Sequence, residues 1–229
     1  METIAGRYTL ELSAGSLPLS TDSMVLADFV RLPANARVLD LGSGCGTLGL
    51  LLCARDSRCS VTGLELNPAD HAAALENIRR NGLGDRLYSV CADLRAIPET
   101  LARGSFHVCL SNPPYFSGGA VSTHAPLARS EGTCAPGDLF AAAASMLRYG
   151  GDFFLVHKPE RLAQLCVEAS NARLEPKRLR LVRHRENGPI SLILLQCRKG
   201  GKSGLIIEEL SLFHADGTPT QDRRRIYHE

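Results

Sequence analysis

The chemistry in this sequence concentrates in two places. The first is Val38–Gly49, V-L-D-L-G-S-G-C-G-T-L-G, an apolar run that ends in a carboxylate and then places glycines at 42, 44, 46 and 49. Glycines after a strand let the chain turn sharply and bring backbone N–H groups close to a ligand over a helix N-terminus. Gly44 to Gly49 is a literal G-x-G-x-x-G, and Glu65 follows 21 residues after Gly44. That spacing fits the dinucleotide fingerprint, so an NAD-dependent oxidoreductase is one reading. Asp40, two residues before Gly42, and a loop without Lys or Arg point the other way. A carboxylate there disfavours a pyrophosphate and suits a cationic ligand that carries an ammonium and a sulfonium, such as S-adenosylmethionine. Glu65 then accepts from the ribose hydroxyls, and Asp93, at a later strand end, meets the adenine amine. A tight structural turn with acids that cap helices is the plain alternative.

The second place is Asn112-Pro113-Pro114-Tyr115, directly after the apolar run Phe106–Ser111. Each proline lacks an N–H and forces the residue before it out of the helical region. The segment therefore offers carbonyl acceptors with few competing donors, at the sheet edge where ligands bind in such folds. Two acceptors, the Asn112 side-chain oxygen and the Pro113 carbonyl, complement a planar exocyclic –NH2. Hydrogen bonds to both its hydrogens favour a pyramidal nitrogen as it attacks an electrophile, an interaction that strengthens in the transition state. Tyr115 stacks on the ring that bears the amine. On its own a Pro-Pro after a strand is a stiff turn; about seventy residues after the glycine loop, the pair of motifs is specific.

Both motifs need a sheet to carry them. Strand patterns occur at Arg37–Asp40, Ser60–Glu65, Leu87–Ala92, Phe106–Ser111, Gly151–His157, Arg178–His184 and Ser191–Arg198. Helical patterns at Thr47–Arg55, Pro68–Asn81, Asp138–Arg148 and Pro159–Ala172 alternate with them, which implies βαβ units and a mostly parallel sheet. Only Arg185–Ile190 separates the last two strands, too short for a crossover helix, so they form an antiparallel hairpin. The expectation is one α/β domain over 1–229 with seven strands, an N-terminal segment 1–35 that covers the cofactor, and a tail 198–229.

Composition removes several classes. Hydrophobic residues make up 44% and charged residues 22% of 229, ordinary globular values that exclude disordered and fibrous chains. Trp is absent and aromatics reach 5%, which argues against aromatic cages and stacking platforms. The N-terminus lacks a basic start followed by an apolar stretch, and no run reaches a membrane span, so a cytoplasmic protein is expected. Eight cysteines without a C-x-x-C pair are expected to be reduced core thiols, and no metal site is implied. The net charge of +2 hides an asymmetry: Arg173–Lys202 holds nine basic residues against Glu175 and Glu186. Strand alternation puts Arg178 and Arg180 on one face, a candidate surface for phosphates.

The two motifs together resemble those of Class I, Rossmann-like SAM-dependent methyltransferases, and D-L-G-S-G-C-G with N-P-P-Y resembles the subset that methylates planar amines. The same N-P-P-Y occurs in protein-glutamine methyltransferases of release factors. Those usually carry an N-terminal helical domain, and only about 35 residues precede the first strand here, which argues against that reading. The longer similarity is to the bacterial tRNA(Val) adenine-N6 methyltransferases. It rests on Leu19-Ser-Thr-Asp-Ser-Met-Val-Leu26, Ser111–Phe116 with Ala128–Glu131, Glu175–Arg180 and, more weakly, Glu209–His214. Ser130 and Ser211 depart from that pattern, which has His and Pro there.

The resemblance implies SAM as cofactor, tRNA as partner and a monomer. It puts Thr21 and Asp22 near the methionine end of the cofactor, their alternative being an N-cap pair for a helix from Ser23. The expected cofactor residues are Thr21, Asp22, Asp40, Gly42, Ser43, Gly44, Gly46, Glu65, Leu66, Asp93, Leu94 and Asn112. Catalysis falls to Asn112, Pro113 and Tyr115. Substrate binding falls to Tyr115, Phe116, Arg178, Arg180 and Arg129, the last in a long Ser117–Pro136 loop. His107, His157 and His184 receive no role, and Arg223–Arg225 reads as a solvated run.

Overall fold

A computed structural model of the chain describes residues 2–4, 6–13, 19–113 and 134–228. Its first two strands, β1 (Glu2–Ile4) and β2 (Tyr8–Leu10), form a small antiparallel hairpin that the sequence pattern did not reveal. Then come α1 (Thr21–Phe29), β3 (Arg37–Leu41), α2 (Thr47–Arg55), β4 (Ser60–Glu65), α3 (Pro68–Arg80), β5 (Leu87–Cys91) and β6 (Phe106–Ser111). After the Asn112 motif follow α4 (Pro136–Met146), β7 (Leu147–His157), α5 (Leu162–Asn171), β8 (Leu174–Arg185), β9 (Ile190–Lys199), β10 (Ile206–Phe213) and α6 (Gln221–Tyr227).

The main sheet runs β10-β8-β9-β7-β6-β3-β4-β5. Every neighbouring pair is parallel except the two that β9 makes, with β7 and with β8. The hairpin expected around Arg185–Ile190 is present, but β9 inserts between β7 and β8 and is the one reversed strand of this sheet. Among the described residues this sheet has eight strands, not seven, because β10 lies in the segment assigned to the tail and pairs parallel with β8, Ile206 opposite Arg178 and Phe213 opposite Arg185.

Strand alternation divides the core into two layers. Val38, Val61, Val108, Leu110, Phe154 and Val156 face α1, α2, α3 and α6. Leu39, Leu41, Leu64, Cys109, Phe153 and Leu155 face α4 and α5. Consecutive phenylalanines of β7 serve both: Phe154 meets Phe29 of α1 edge to face at 5.8 Å, and Phe153 meets Phe140 of α4 at 5.2 Å. Five of the eight cysteines are buried and all are free, as expected of core thiols.

The N-terminal segment is fastened by α3. Asn77 Oδ1 accepts from the Glu11 N–H at 2.8 Å while its Nδ2 donates to the Glu11 carbonyl at 2.8 Å. One turn later Asn81 repeats this with Thr9, at 2.9 and 2.8 Å. Two side chains on one helix face thus stand in for a neighbouring strand, since each amide offers one donor and one acceptor to an extended backbone. Asn77 also donates to the Cys45 carbonyl at 3.0 Å, which ties this segment to the glycine loop.

Candidate active site

Parallel pairing brings the ends of β3, β4, β5 and β6 to one edge, and with them Asp40, Glu65, Asp93 and Asn112. The glycine loop turns there with Gly42, Gly44 and Gly46 at φ of 74, 53 and 85°. A Cβ at Gly42 or Gly44 would meet nothing within 4 Å, so the loop backbone borders open space. The Gly42 and Ser43 N–H groups donate to the Leu64 carbonyl at 2.9 and 3.1 Å, which pins the start of the turn to β4. Behind the loop the packing is close. A Cβ on Gly63 would come within 2.5 Å of Ser43 Oγ, and one on Gly49 within 2.6 Å of Leu87 Cδ1.

Glu65 is held by backbone donors at both oxygens: the Gly44 N–H reaches Oε2 at 2.7 Å and the Asn67 N–H reaches Oε1 at 2.8 Å. Each oxygen keeps a lone pair for a ligand hydroxyl. Leu66 beside it is 47% exposed, an apolar shelf next to the carboxylate. Asp93 caps a short 3-10 turn, Leu94–Ala96, and accepts Arg95 on both oxygens at 2.6–3.0 Å. The Arg95 hydrogen bond holds its carboxyl below the ordinary 3.8.

Asp40 sits one layer deeper than the sequence suggests. It is 1% exposed, among the described residues neither carboxyl oxygen accepts a hydrogen bond, and a small cavity of about 10 Å³ borders it and Ser43. Burial, and then the charge of Glu65, push its carboxyl up to about 8. Two acids that repel each other around an open glycine cradle favour a ligand that brings positive charge. The orphaned carboxyl and the cradle fit S-adenosylmethionine.

Asn112 follows β6 directly. Ser111 Oγ donates to the Leu41 carbonyl at 2.7 Å and so fastens the end of β6 to the glycine-loop strand. Asn112 Nδ2 donates to Ser23 Oγ on α1 at 3.1 Å, and Pro113 is buried. Thr21 and Asp22 lie in the first turn of α1, whose N-cap is Ser20, not Thr21–Asp22. The Tyr227 hydroxyl donates to Thr21 Oγ1 at 2.9 Å. Tyr115, Phe116 and Arg129 lie outside the described residues.

The Class I assignment rests on this topology and cradle, and similarity to known proteins agrees with it. A model of the methyltransferase small domain matches residues 18–172, well over half of the chain. The chain belongs to the methyltransferase small domain family. The NAD-dependent alternative is thereby set aside. Among curated relatives, the tRNA1(Val) (adenine(37)-N6)-methyltransferase of Dickeya chrysanthemi is 29% identical over 197 residues, 82% of this chain and 75% of that protein. The protein of the same name from Bacteroides fragilis is 28% identical over 185 residues, 80% and 78% of the two chains. A predicted O-methyltransferase from Agrobacterium tumefaciens superposes with a TM-score of 0.76 at 21% identity, over 91% of this methyltransferase and 96% of that chain.

One expected part of the site does not assemble. Arg178 and Arg180 do share a face of β8, but α1 covers it. Arg178 is 5% exposed, stacks on the Phe29 ring at 4.3 Å, and pairs with Glu208 of β10 at 2.8 Å. Arg180 bridges Glu208 at 2.7 Å and Asp28 of α1 at 2.8 Å. Burial raises Asp28, but Arg225 and Arg180 outweigh it and hold the carboxyl below 3.8. The guanidinium groups of Arg178 and Arg180 are thus both engaged in ion pairs within the fold. Elsewhere in the basic window, Arg183 pairs with Glu209 and Arg198 with Asp152. Arg225, read as solvated, pairs with Asp28 and with Asp222. Among the described residues no helix is long and apolar enough to cross a membrane, and no group of His, Cys, Asp and Glu is arranged for a metal.

Proposed function

We propose that this methyltransferase uses S-adenosylmethionine to methylate the exocyclic N6 amine of an adenine in tRNA, the one beside the anticodon of a valine tRNA. The observation that carries the reaction type is the side chain of Asn112. Its Nδ2 is committed to Ser23, and among the described residues its Oδ1 accepts no hydrogen bond. An amide held this way presents an acceptor, next to the Pro113 carbonyl, at the edge that holds the glycine cradle. The cofactor supplies a methyl group on a positive sulfur. Asn112 Oδ1 and the Pro113 carbonyl take the two amine hydrogens and turn the nitrogen lone pair toward that carbon. With S-adenosylmethionine bound, the new N–C bond would form as the S–C bond breaks, the sulfur would leave as the neutral thioether of S-adenosylhomocysteine, and the amine proton would then pass to solvent.

Substrate identity draws on the curated relatives, which carry that activity in their names over most of this chain. An anticodon-loop adenine is already unpaired, so its extrusion into a cleft costs less than flipping a duplex base. Tyr115 and Phe116 supply the apolar faces for it and Arg129 a phosphate contact, in a cytoplasmic protein that works as a monomer. Incubation with labelled S-adenosylmethionine, tRNA and a release factor in parallel tests this. Label in tRNA as N6-methyladenosine is expected; label in protein glutamine alone would overturn it.

A further inference from the structure

Asn112 is useful only if its amide points the right way round. The Nδ2 and Oδ1 ends have nearly the same shape, and an amide turned by 180° would offer two donors to an amine that also donates. Sterics alone cannot separate the two orientations, so a hydrogen-bond partner of defined polarity must.

Ser23 is the partner that meets the NH2 end here. It lies in the first turn of α1, is 6% exposed, and is the residue that receives Asn112 Nδ2 at 3.1 Å. Its neighbour Ser20 is the N-cap: Ser20 Oγ accepts the Ser23 N–H at 3.3 Å and its hydroxyl donates to Ser23 Oγ at 3.4 Å. Ser23 Oγ therefore meets two donors, Ser20 from the cap and Asn112 from β6. In this arrangement Ser23 Oγ accepts from the NH2 end of the amide, which leaves Oδ1 as the outward acceptor.

The helix that carries Ser23 is clamped at both ends. Tyr227 of α6 donates to Thr21 at its start, and near its other end Asp28 takes Arg180 of β8 and Arg225 of α6. Arg55 of α2 donates to the Val30 carbonyl just beyond it at 2.7 Å. A side chain on such a support holds a narrow range of positions, as an orienting group requires.

We propose that Ser23 is a positioning residue for the reaction: it sets the polarity of the Asn112 amide and touches neither cofactor nor substrate. The proposal rests on the amine-methylation role of Asn112 but not on tRNA as the substrate.

The test is a double-mutant cycle on the full chain with Ser23→Ala, Asn112→Ala and both, plus Ser23→Thr, which keeps the hydroxyl. Ser23→Ala is expected to lower kcat about 10-fold, the scale of one hydrogen bond, with KM for tRNA and affinity for S-adenosylmethionine within about twofold. Asn112→Ala is expected to lose about 100-fold, and the double variant no more than that, since Ser23 acts only through Asn112. Ser23→Thr should recover most of the rate. An unchanged kcat in Ser23→Ala, losses that multiply in the double variant, or an effect confined to cofactor affinity and melting temperature would overturn the proposal. Side-chain NMR keeps the two questions apart. The Asn112 NH2 hydrogens should exchange more slowly in the wild type than in Ser23→Ala, whatever the substrate. Equal exchange counts against Ser23, whereas a wild type inactive on tRNA counts only against the substrate assignment.

Discussion

Replacing Asp40 with asparagine tests how the site recognises a positive ligand. The Asp40 carboxyl is pushed up to about 8 by burial and then by the charge of Glu65. The unfolded chain ionises it near 3.8. Between these values the folded protein holds a proton that the unfolded chain has lost, so this group's contribution to stability declines as pH rises from about 4 to 8. Binding of a cation runs the other way. Positive charge over the loop favours the carboxylate, so binding releases the proton and affinity must rise with pH up to about 8. Ionising the group in the free protein at pH 6, two units below its value, costs on the order of 3 kcal/mol, and far less at pH 8. Calorimetry at pH 6, 7 and 8, in buffers of different ionisation enthalpy, reads both affinity and protons. The wild type should bind S-adenosylmethionine about 10-fold or more tightly at pH 8 than at pH 6 and release about 0.5–0.9 proton at pH 7. Asp40→Asn should bind more weakly at pH 8 by ~1–3 kcal/mol, differ little at pH 6, and release no proton from this position. A flat profile with no proton release in both proteins would refute the reasoning.

Other consequences are direct. Arg178→Met leaves the partly exposed Glu208 with Arg180 as its remaining cation and should lower stability by roughly 1–3 kcal/mol, the scale of a lost hydrogen bond to a charged group, read by denaturant unfolding. If tRNA affinity fell selectively with stability intact, Arg178 would be an RNA contact after all. Asp28 is held below its ordinary 3.8, so its contribution to stability is present above that pH and lost as pH falls further; Asp28→Asn should remove that acid transition from the melting curve. Gly63→Ala drives a Cβ into Ser43 and should distort the glycine loop, so cofactor affinity should fall with little change in the far-UV spectrum. Asn77→Ala removes the two hydrogen bonds to Glu11 and one to Cys45, and limited proteolysis should then cut near the N-terminus faster.

Most of the fold was legible because its signals are local. Ser60–Glu65, Phe106–Ser111 and Thr47–Arg55 have the bounds the pattern gives them, since apolar runs, a glycine loop and helix caps all mark the same ends. What escaped depends on distant partners. β1 and β2 are three residues each, and the side chains of Asn81 and Asn77 hold Thr9 of β2 and Glu11 just after it. β10 begins Ile206-Ile207-Glu208-Glu209, a sequence without alternation, and its place is set by pairing with β8 some 28 residues earlier.

The site divides along the same line. Glu65, the glycines and Asn112 were readable from spacing. The burial of Asp40 and the Asn112–Ser23 hydrogen bond, which spans 89 residues, were not. For Arg178 and Arg180 the period-2 pattern gives a shared face but not its cover. The carboxylates that neutralise them come from Asp28, 152 residues from Arg180, and from the unrecognised β10.

The central claim is that Asn112 directs methyl transfer to an adenine amine in tRNA. Digestion and nucleoside mass spectrometry of a valine tRNA, incubated with S-adenosylmethionine and either wild type or Asn112→Ala, tests it most directly. The wild type should yield N6-methyladenosine in the fragment that contains the anticodon, and Asn112→Ala roughly 100-fold less at equal cofactor affinity. Methylation at a ring nitrogen or a ribose, or an Asn112→Ala yield equal to that of the wild type, would contradict it.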